Sequence, residues 1–277
     1  MKFWKIIFNI IIYLFAAIGF LFFAVYVAMQ LHLTDEKGGI DSLSQHYNEV
    51  KNVVERKIET QQTKKDWMTT PEWQAISTGL LKDKNVILEA SKVSGVPARV
   101  IVSNVIAEQF RFFNSNRESV KKYFLPLGIL GNGTQFSYGV AGIKTNTAIA
   151  IENNLKDTTS PYYVGPSFEN ILDFDTPDSD GERMTRLTDP KNHYYSYLYT
   201  GIFMREVMAQ WQKAGFPIND RPEILATLFN IGFARSKPSA EPQTGGTTFA
   251  ISGIDYTFGG IAYEFYYSDE LIQDFPN

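Results

Sequence analysis

The sequence predicts a mainly α-helical protein behind an N-terminal membrane-spanning helix. Three observations carry that expectation. Apolar residues recur at intervals of three and four along most of the chain, strand-like alternation is scarce, and one early stretch is apolar without interruption.

That stretch, Ile10 to Met29, is 20 residues without a charge or an amide side chain. A helix of that length crosses a hydrocarbon core of about 30 Å. Lys2 and Lys5 precede it and Asp35, Glu36 and Lys37 follow it. The basic flank is therefore expected in the cytoplasm and the rest of the chain outside, with a single pass through a bacterial inner membrane. A cleavable signal peptide is the rival reading. Its apolar stretch usually ends after about 7 to 15 residues at a small-x-small site, whereas Tyr26, Val27, Met29 and Gln30 occupy the exit here. On this division residues 1–33 are the anchor, 34–69 a stalk or linker and 70–277 the functional domain.

The stalk follows from Ile40, Leu43, Tyr47, Val50, Val54 and Ile58, which fall on one helical face. A short coiled-coil seam is the alternative for this run. Gln61 to Lys65 is a polar break. Thr70 then caps a helix that opens on Pro71 and runs to about Leu81. The next covers roughly Asn85 to Ser94 and stops at Gly95. Another opens at Pro97 and puts Val100, Ile101, Asn104, Val105, Glu108 and Phe112 on one face. Further helices are expected at Thr147–Leu155, His193–Lys213, Pro222–Asn230 and near Phe258–Ile272. The loops between them, at 126–139, 157–192 and 234–256, are long for a compact domain, which marks binding loops or insertions.

Composition bounds the chemistry. Of 277 residues 44% are hydrophobic and 14% aromatic, enough for a core of ordinary size. A formal charge of −4 argues against nucleic acid as a partner. With no cysteine, disulfide frameworks, thiolate metal sites and thiolate nucleophiles are excluded; three histidines leave little room for a histidine metal cluster, and neither a metal nor a cofactor is expected. Catalysis would fall to carboxylates, hydroxyls or lysines.

Glu108 is where such chemistry concentrates. It lies in VIVSNVIAEQF, surrounded by apolar residues on its helix. Burial disfavours a carboxylate and raises its pKa, which is what a general acid at neutral pH needs. The structural alternative is a Glu paired with Arg111 or Arg99, or leaning into solvent.

Context favours the chemical reading. Ala90-Ser91-Lys92-Val93-Ser94-Gly95-Val96-Pro97 leads into the Glu108 helix, and Ser137-Tyr138-Gly139-Val140-Ala141-Gly142-Ile143 follows later. Leu187-Thr188-Asp189-Pro190-Lys191-Asn192 and Leu228-Phe229-Asn230-Ile231-Gly232 complete the set. In this order, over about 90 to 232, the four resemble the motifs of lytic transglycosylases and goose-type lysozymes. Three positions depart from that family's pattern: Gln109 stands where Ser is usual, Gly142 where Gln is usual and Phe229 where Tyr is usual. Glu108 and Ser137 are 29 residues apart, which reads as an insertion at 114–134.

The resemblance implies a lysozyme-like α-helical domain that cleaves peptidoglycan between N-acetylmuramic acid and N-acetylglucosamine. Glu108 would act as acid and then base, with the substrate's acetamido and 6-hydroxyl groups as nucleophiles and a 1,6-anhydro sugar as product. Ser137, Tyr138, Gly139 and Asn230 would bind the glycan. Glu264, in Ala262-Tyr263-Glu264-Phe265-Tyr266-Tyr267, lies near the place of the family's closing motif and would line the cleft. Each has a plainer structural alternative as a turn, cap or helix-surface residue. For the chain as a whole the alternative is a noncatalytic module that binds glycan strands or envelope partner proteins.

Two other features lead nowhere chemically. Asp173, Asp175, Asp178, Asp180 and Glu182 crowd one loop, but a calcium loop placed on Gly181 would begin at Thr176 and end at Leu187, so both key ligands are wrong. Gly245-Gly246 lacks the strand, spacing and Lys of a phosphate loop.

Overall fold

The computed structural model describes residues 13, 15–16, 18–20, 23–24, 27, 39–40, 65–113 and 137–277. Among these the fold is mainly helical. Helix α1 spans Pro71–Lys82, α2 Lys84–Ser94, α3 Ala98–Phe113, α4 Thr145–Lys156, α5 Ser179–Thr188, α6 Tyr194–Lys213, α7 Pro222–Ile231 and α8 Phe258–Tyr266.

The boundaries have local causes. The Thr70 hydroxyl accepts the Trp73 amide at 3.2 Å and Pro71 fills the first position of α1. Gly95 ends α2 in the left-handed conformation, φ +68°. Helix α3 is buried on nearly every side from Ala98 to Glu108. It is the central helix, with α8, α7, α2 and α1 all packed against it. The long helix α6 lies along α2 and also meets α4 and α7.

Strands are few and short. Gly39–Ile40 (β1) pairs antiparallel with Gly245–Gly246 (β4). Ser137–Tyr138 (β2) pairs antiparallel with Ile143–Lys144 (β3), and Thr248–Ile251 (β5) with Ile254–Thr257 (β6). The β5–β6 turn has positive φ at Ser252 and Gly253, 51° and 82°, the backbone of a tight two-residue hairpin turn.

Several expectations are corrected. Residues 179–188 form α5 inside the stretch expected as loop. Asp178 caps it by accepting the Gly181 amide at 3.0 Å, and Glu182 pairs with Arg186 one turn on. The last helix ends at Tyr266 rather than near Ile272, because Arg99 collects the carbonyls at its end. Trp67 and Met68, assigned to the linker, are buried in the core, so the folded unit includes residues from 65. Ile40, expected on the helical face of the stalk, lies instead in β1, where Gly39–Ile40 pair with Gly245–Gly246, and 34–38 and 41–64 lie outside the described residues.

The membrane expectation is corrected as well. Among the described residues no helix is long and apolar enough to cross a membrane. The longest described helix, α6, has 20 residues but carries Arg205, Glu206 and Lys213, each costly in hydrocarbon. Within 10–29 only Tyr13, Phe15, Ala16, Ile18, Gly19, Phe20, Phe23, Ala24 and Val27 are described, as helix, and the remainder of that segment lies outside. A single-pass inner-membrane protein with a cytoplasmic N-terminus is therefore not supported.

One buried acid sets a pH response. Glu206 on α6 is fully buried, Asn154 of α4 donates to its Oε2 at 3.2 Å, and its Oε1 has no partner. Burial pushes this carboxyl up to about 9, against the opposing Asn154 bond. The folded chain thus keeps a proton that the unfolded chain releases above its ordinary value of 4.5. Stability from this group is complete below that value and is lost as pH rises toward 9. Glu206→Gln mimics the protonated acid. It is expected to stabilise the protein by about 1–3 kcal/mol at pH 8 and to change little at pH 4. Urea unfolding at both pH values checks this, and an equal effect at the two would refute the assignment.

Candidate functional site

A cleft of about 220 Å³ opens beside the C-terminal half of α3. Glu108 and Arg111 come to it from α3, Gly142 and Lys144 from the β2–β3 hairpin, and Asn230 from the end of α7. Thr247, between β4 and β5, closes one side.

Glu108 is 3% exposed. Its Oε2 accepts from Arg111 Nε at 3.0 Å and its Oε1 from Arg111 Nη2 at 2.5 Å, a bidentate pair at the i,i+3 spacing. Of the alternatives open to the sequence, pairing with Arg111 is the one observed. Arg99 is committed to the far end of the helix.

The hairpin is fitted to this carboxylate. Gly142 has φ +62°, and a Cβ there would fall 1.7 Å from Glu108 Oε1. Glu108 thus occupies the space that a side chain at 142 would need, which accounts for glycine where the resembled family has Gln. Gln109, the next residue on α3, donates its amide to the Val140 carbonyl at 2.5 Å and ties the hairpin turn to the helix. That bond gives the second departure, Gln109, a structural role.

Gly139, with φ +67°, lies against α5 and α6: a Cβ there would meet Leu187 O at 2.4 Å and Ser196 Oγ at 2.0 Å. Its place is structural, a left-handed turn in close contact with backbone. Ser137 and Tyr138 form β2, and only their backbone is described.

Asn230 Oδ1 accepts from the Thr247 amide at 2.8 Å and from its hydroxyl at 3.0 Å. Two donors on one oxygen fix which end of the amide is the acceptor. Gly246 sits close behind, its would-be Cβ 3.0 Å from Asn230 Oδ1.

Glu264 is not among the described residues that line the cleft. It accepts Trp67 Nε1 at 2.7 Å and faces Lys65 at 3.8 Å, joining the 3-10 turn Asp66–Thr69 to α8. The acidic loop is held internally. Glu182 accepts the Asp175 and Thr176 amides and the Thr176 hydroxyl, Lys156 pairs with Asp173, and Arg186 bonds the Leu172 and Asp173 carbonyls. Among the described residues no cluster of three His, Asp or Glu could hold a metal.

With the geometry in view, comparison with known proteins adds no relative. No family model, no curated protein and no solved structure matches the chain.

Sequence reasoning missed Lys144, Thr147 and Thr247 as lining residues. Thr247 follows Gly245-Gly246, a pair whose only sequence-level reading is a failed phosphate loop, and its contact with Asn230 depends on a chain reversal with no local signal.

Proposed function

We propose that the chain is a lysozyme-like peptidoglycan lytic transglycosylase in which Glu108 is the acid and base. One observation carries this reading. Segments that are far apart in sequence, namely Glu108, 142–144, Thr147 and 229–232, line a single cleft, and the Leu187 carbonyl backs the hairpin through Gly139. These are the segments whose motifs resemble the family.

The residues divide the work as follows. Glu108 protonates the glycosidic oxygen between N-acetylmuramic acid and N-acetylglucosamine. The substrate's acetamido group assists departure of the leaving sugar, and its 6-hydroxyl closes the anhydro ring while Glu108 takes back the proton. Asn230 Nδ2 donates to a sugar or acetamido oxygen. No second carboxylate lines the cleft among the described residues, which suits a mechanism with one acid.

Arg111 favours a second reading. Both Glu108 oxygens are engaged by its guanidinium, and a carboxylate so held offers no proton. A noncatalytic module that binds glycan or envelope proteins would keep this pair permanently closed. Incubating the purified protein with peptidoglycan separates the two. Release of anhydro-muropeptides, detected by mass spectrometry, supports the enzyme. Binding in sedimentation without any cleavage supports the module.

Gly142→Ala gives a sharper check. The added methyl would displace Glu108 and strain a left-handed backbone, and displacement of a catalytic group by about 1 Å costs on the order of 10²-fold in rate. Anhydro-muropeptide release is expected to fall by about that factor. Unchanged release would separate Glu108 from the chemistry.

A further inference from the structure

Asn104 is fully buried, and neither its amide nitrogen nor its amide oxygen has a hydrogen-bond partner. Buried polar groups are nearly always paired, so an amide orphaned at both ends calls for a cause. Asn104 lies four residues before Glu108 on α3, one turn away on the same face, a spacing that brings Cβ atoms to about 5–6 Å. Side chains on a helix lean toward its N-terminus. Arg111 leans onto Glu108 in this way, and the same lean would carry the Glu108 carboxyl toward Asn104.

The two neighbours of Glu108 suit different protonation states. A carboxylate only accepts hydrogen bonds and a guanidinium only donates them, which is the pair observed. A protonated carboxyl has one donor and one acceptor, and a primary amide offers the complement of both. A carboxyl resting on Asn104 would satisfy both orphaned atoms at once.

We infer that Asn104 is a positioning residue, a second seat that takes the Glu108 carboxyl when it is protonated, as Arg111 takes it when it is ionised. This rests on the reading of Glu108 as acid and base. Among the described residues the charged groups that share the cleft with Glu108 are Arg111 from its own helix and Lys144 from the β2–β3 hairpin, while α7 and the β4–β5 segment present the neutral Asn230 and Thr247. The seat lets the acid hold its proton away from Arg111 before transfer.

The test is a double-mutant cycle in the full chain: wild type, Asn104→Leu, Arg111→Met and the double variant, followed by thermal unfolding and by peptidoglycan turnover against pH. In the wild-type background Asn104→Leu removes an orphaned amide, and Tm is expected to rise by about 2–4 °C. In the Arg111→Met background Glu108 depends on Asn104, so the same change is expected to lower Tm by a similar amount. Turnover of Asn104→Leu should fall about tenfold at unchanged KM, with the alkaline limb of its pH profile moved to lower pH because the protonated acid has lost its seat. A merely structural Asn104 would leave that limb in place. Equal shifts of Tm in the two backgrounds would overturn the proposal, whatever the activity. If the cycle is non-additive but no peptidoglycan is cleaved, the seat stands and the enzyme reading falls. Should Asn104→Leu fail to fold, Asn104→Ala completes the same cycle.

Discussion

Glu108→Gln is expected to reduce peptidoglycan cleavage to near background. General acid catalysis contributes typically about 10²–10⁴-fold, and the described cleft holds no other carboxylate to take over. Gln keeps the shape of Glu and can still accept one bond from Arg111. From sequence alone the swap looks free for stability, because it spares the cost of a desolvated charge. The observed pair reverses that expectation. Arg111 is 8% exposed, and removing its carboxylate leaves a buried cation with weaker compensation, a loss of about 1–3 kcal/mol. The variant should thus fold, unfold at a lower denaturant concentration and bind glycan strands while cleaving none. Anhydro-muropeptide release, denaturant midpoint and sedimentation with peptidoglycan measure the three. Glu264→Gln should cost far less activity, since Glu264 bonds Trp67 outside the cleft, and changes in the 173–182 loop should cost almost none. Wild-type cleavage by Glu108→Gln would show that the acid has been misassigned.

The helices are legible in the sequence because their signals are local. Thr70-Pro71 and Gly95 mark ends by capping and left-handed geometry, and the three-and-four period of α3 places Asn104 and Glu108 on one face by spacing alone. The α5 helix is less legible, since Gly181 and Thr185 dilute a pattern whose support comes from the Asp178 cap and the Glu182–Arg186 pair. The β5–β6 hairpin is hidden for another reason. Its strands are four residues each, with Ser252-Gly253 between them, too short for alternation to stand out in a helical sequence. In the cleft, motifs point to Glu108 and Asn230. What surrounds them has no such signal, because Gly142 against a carboxylate and Thr247 on an amide are contacts between segments remote in sequence. The choice of Arg111 over Arg99 as the partner of Glu108, by contrast, follows from spacing once the helix is formed, for Arg111 lies three residues on and on the same face whereas Arg99 lies nine residues back.

Arg99 carries the largest expected effect on stability. All of its guanidinium donors are used. Nε donates to the Tyr266 carbonyl at 2.8 Å, Nη1 to Glu270 and Phe275 at 3.0 and 3.2 Å, and Nη2 to Phe265 and Ser268 at 2.8 and 2.6 Å. The Phe265 and Tyr266 carbonyls belong to the last turn of α8, where helices leave acceptors unsatisfied and a cation is favoured by the helix dipole. The other three belong to the tail that follows. Burial pulls the guanidinium down to about 10, so it remains charged at neutral pH, and its Cζ also lies 4.5 Å from the Phe265 ring centroid. A single side chain at the start of the central helix thus fixes the end of the last helix and the chain beyond it. Arg99→Met removes every donor and strands buried carbonyls, so a loss of about 3–5 kcal/mol is expected, the cost of breaking a buried charged network. Arg99→Lys keeps the charge but has three donors on a flexible stem instead of five in a plane, and should recover only part of that loss. Amide exchange should separate this from a general loosening. Protection at 265–275 should collapse before that of α6, because the tail is held to α3 through Arg99 whereas α6 packs on α2 with buried apolar residues of its own. A loss under about 1 kcal/mol in Arg99→Met would mean that water replaces the guanidinium at those carbonyls and that the tail is held by its apolar contacts, Phe275 foremost, which is fully buried.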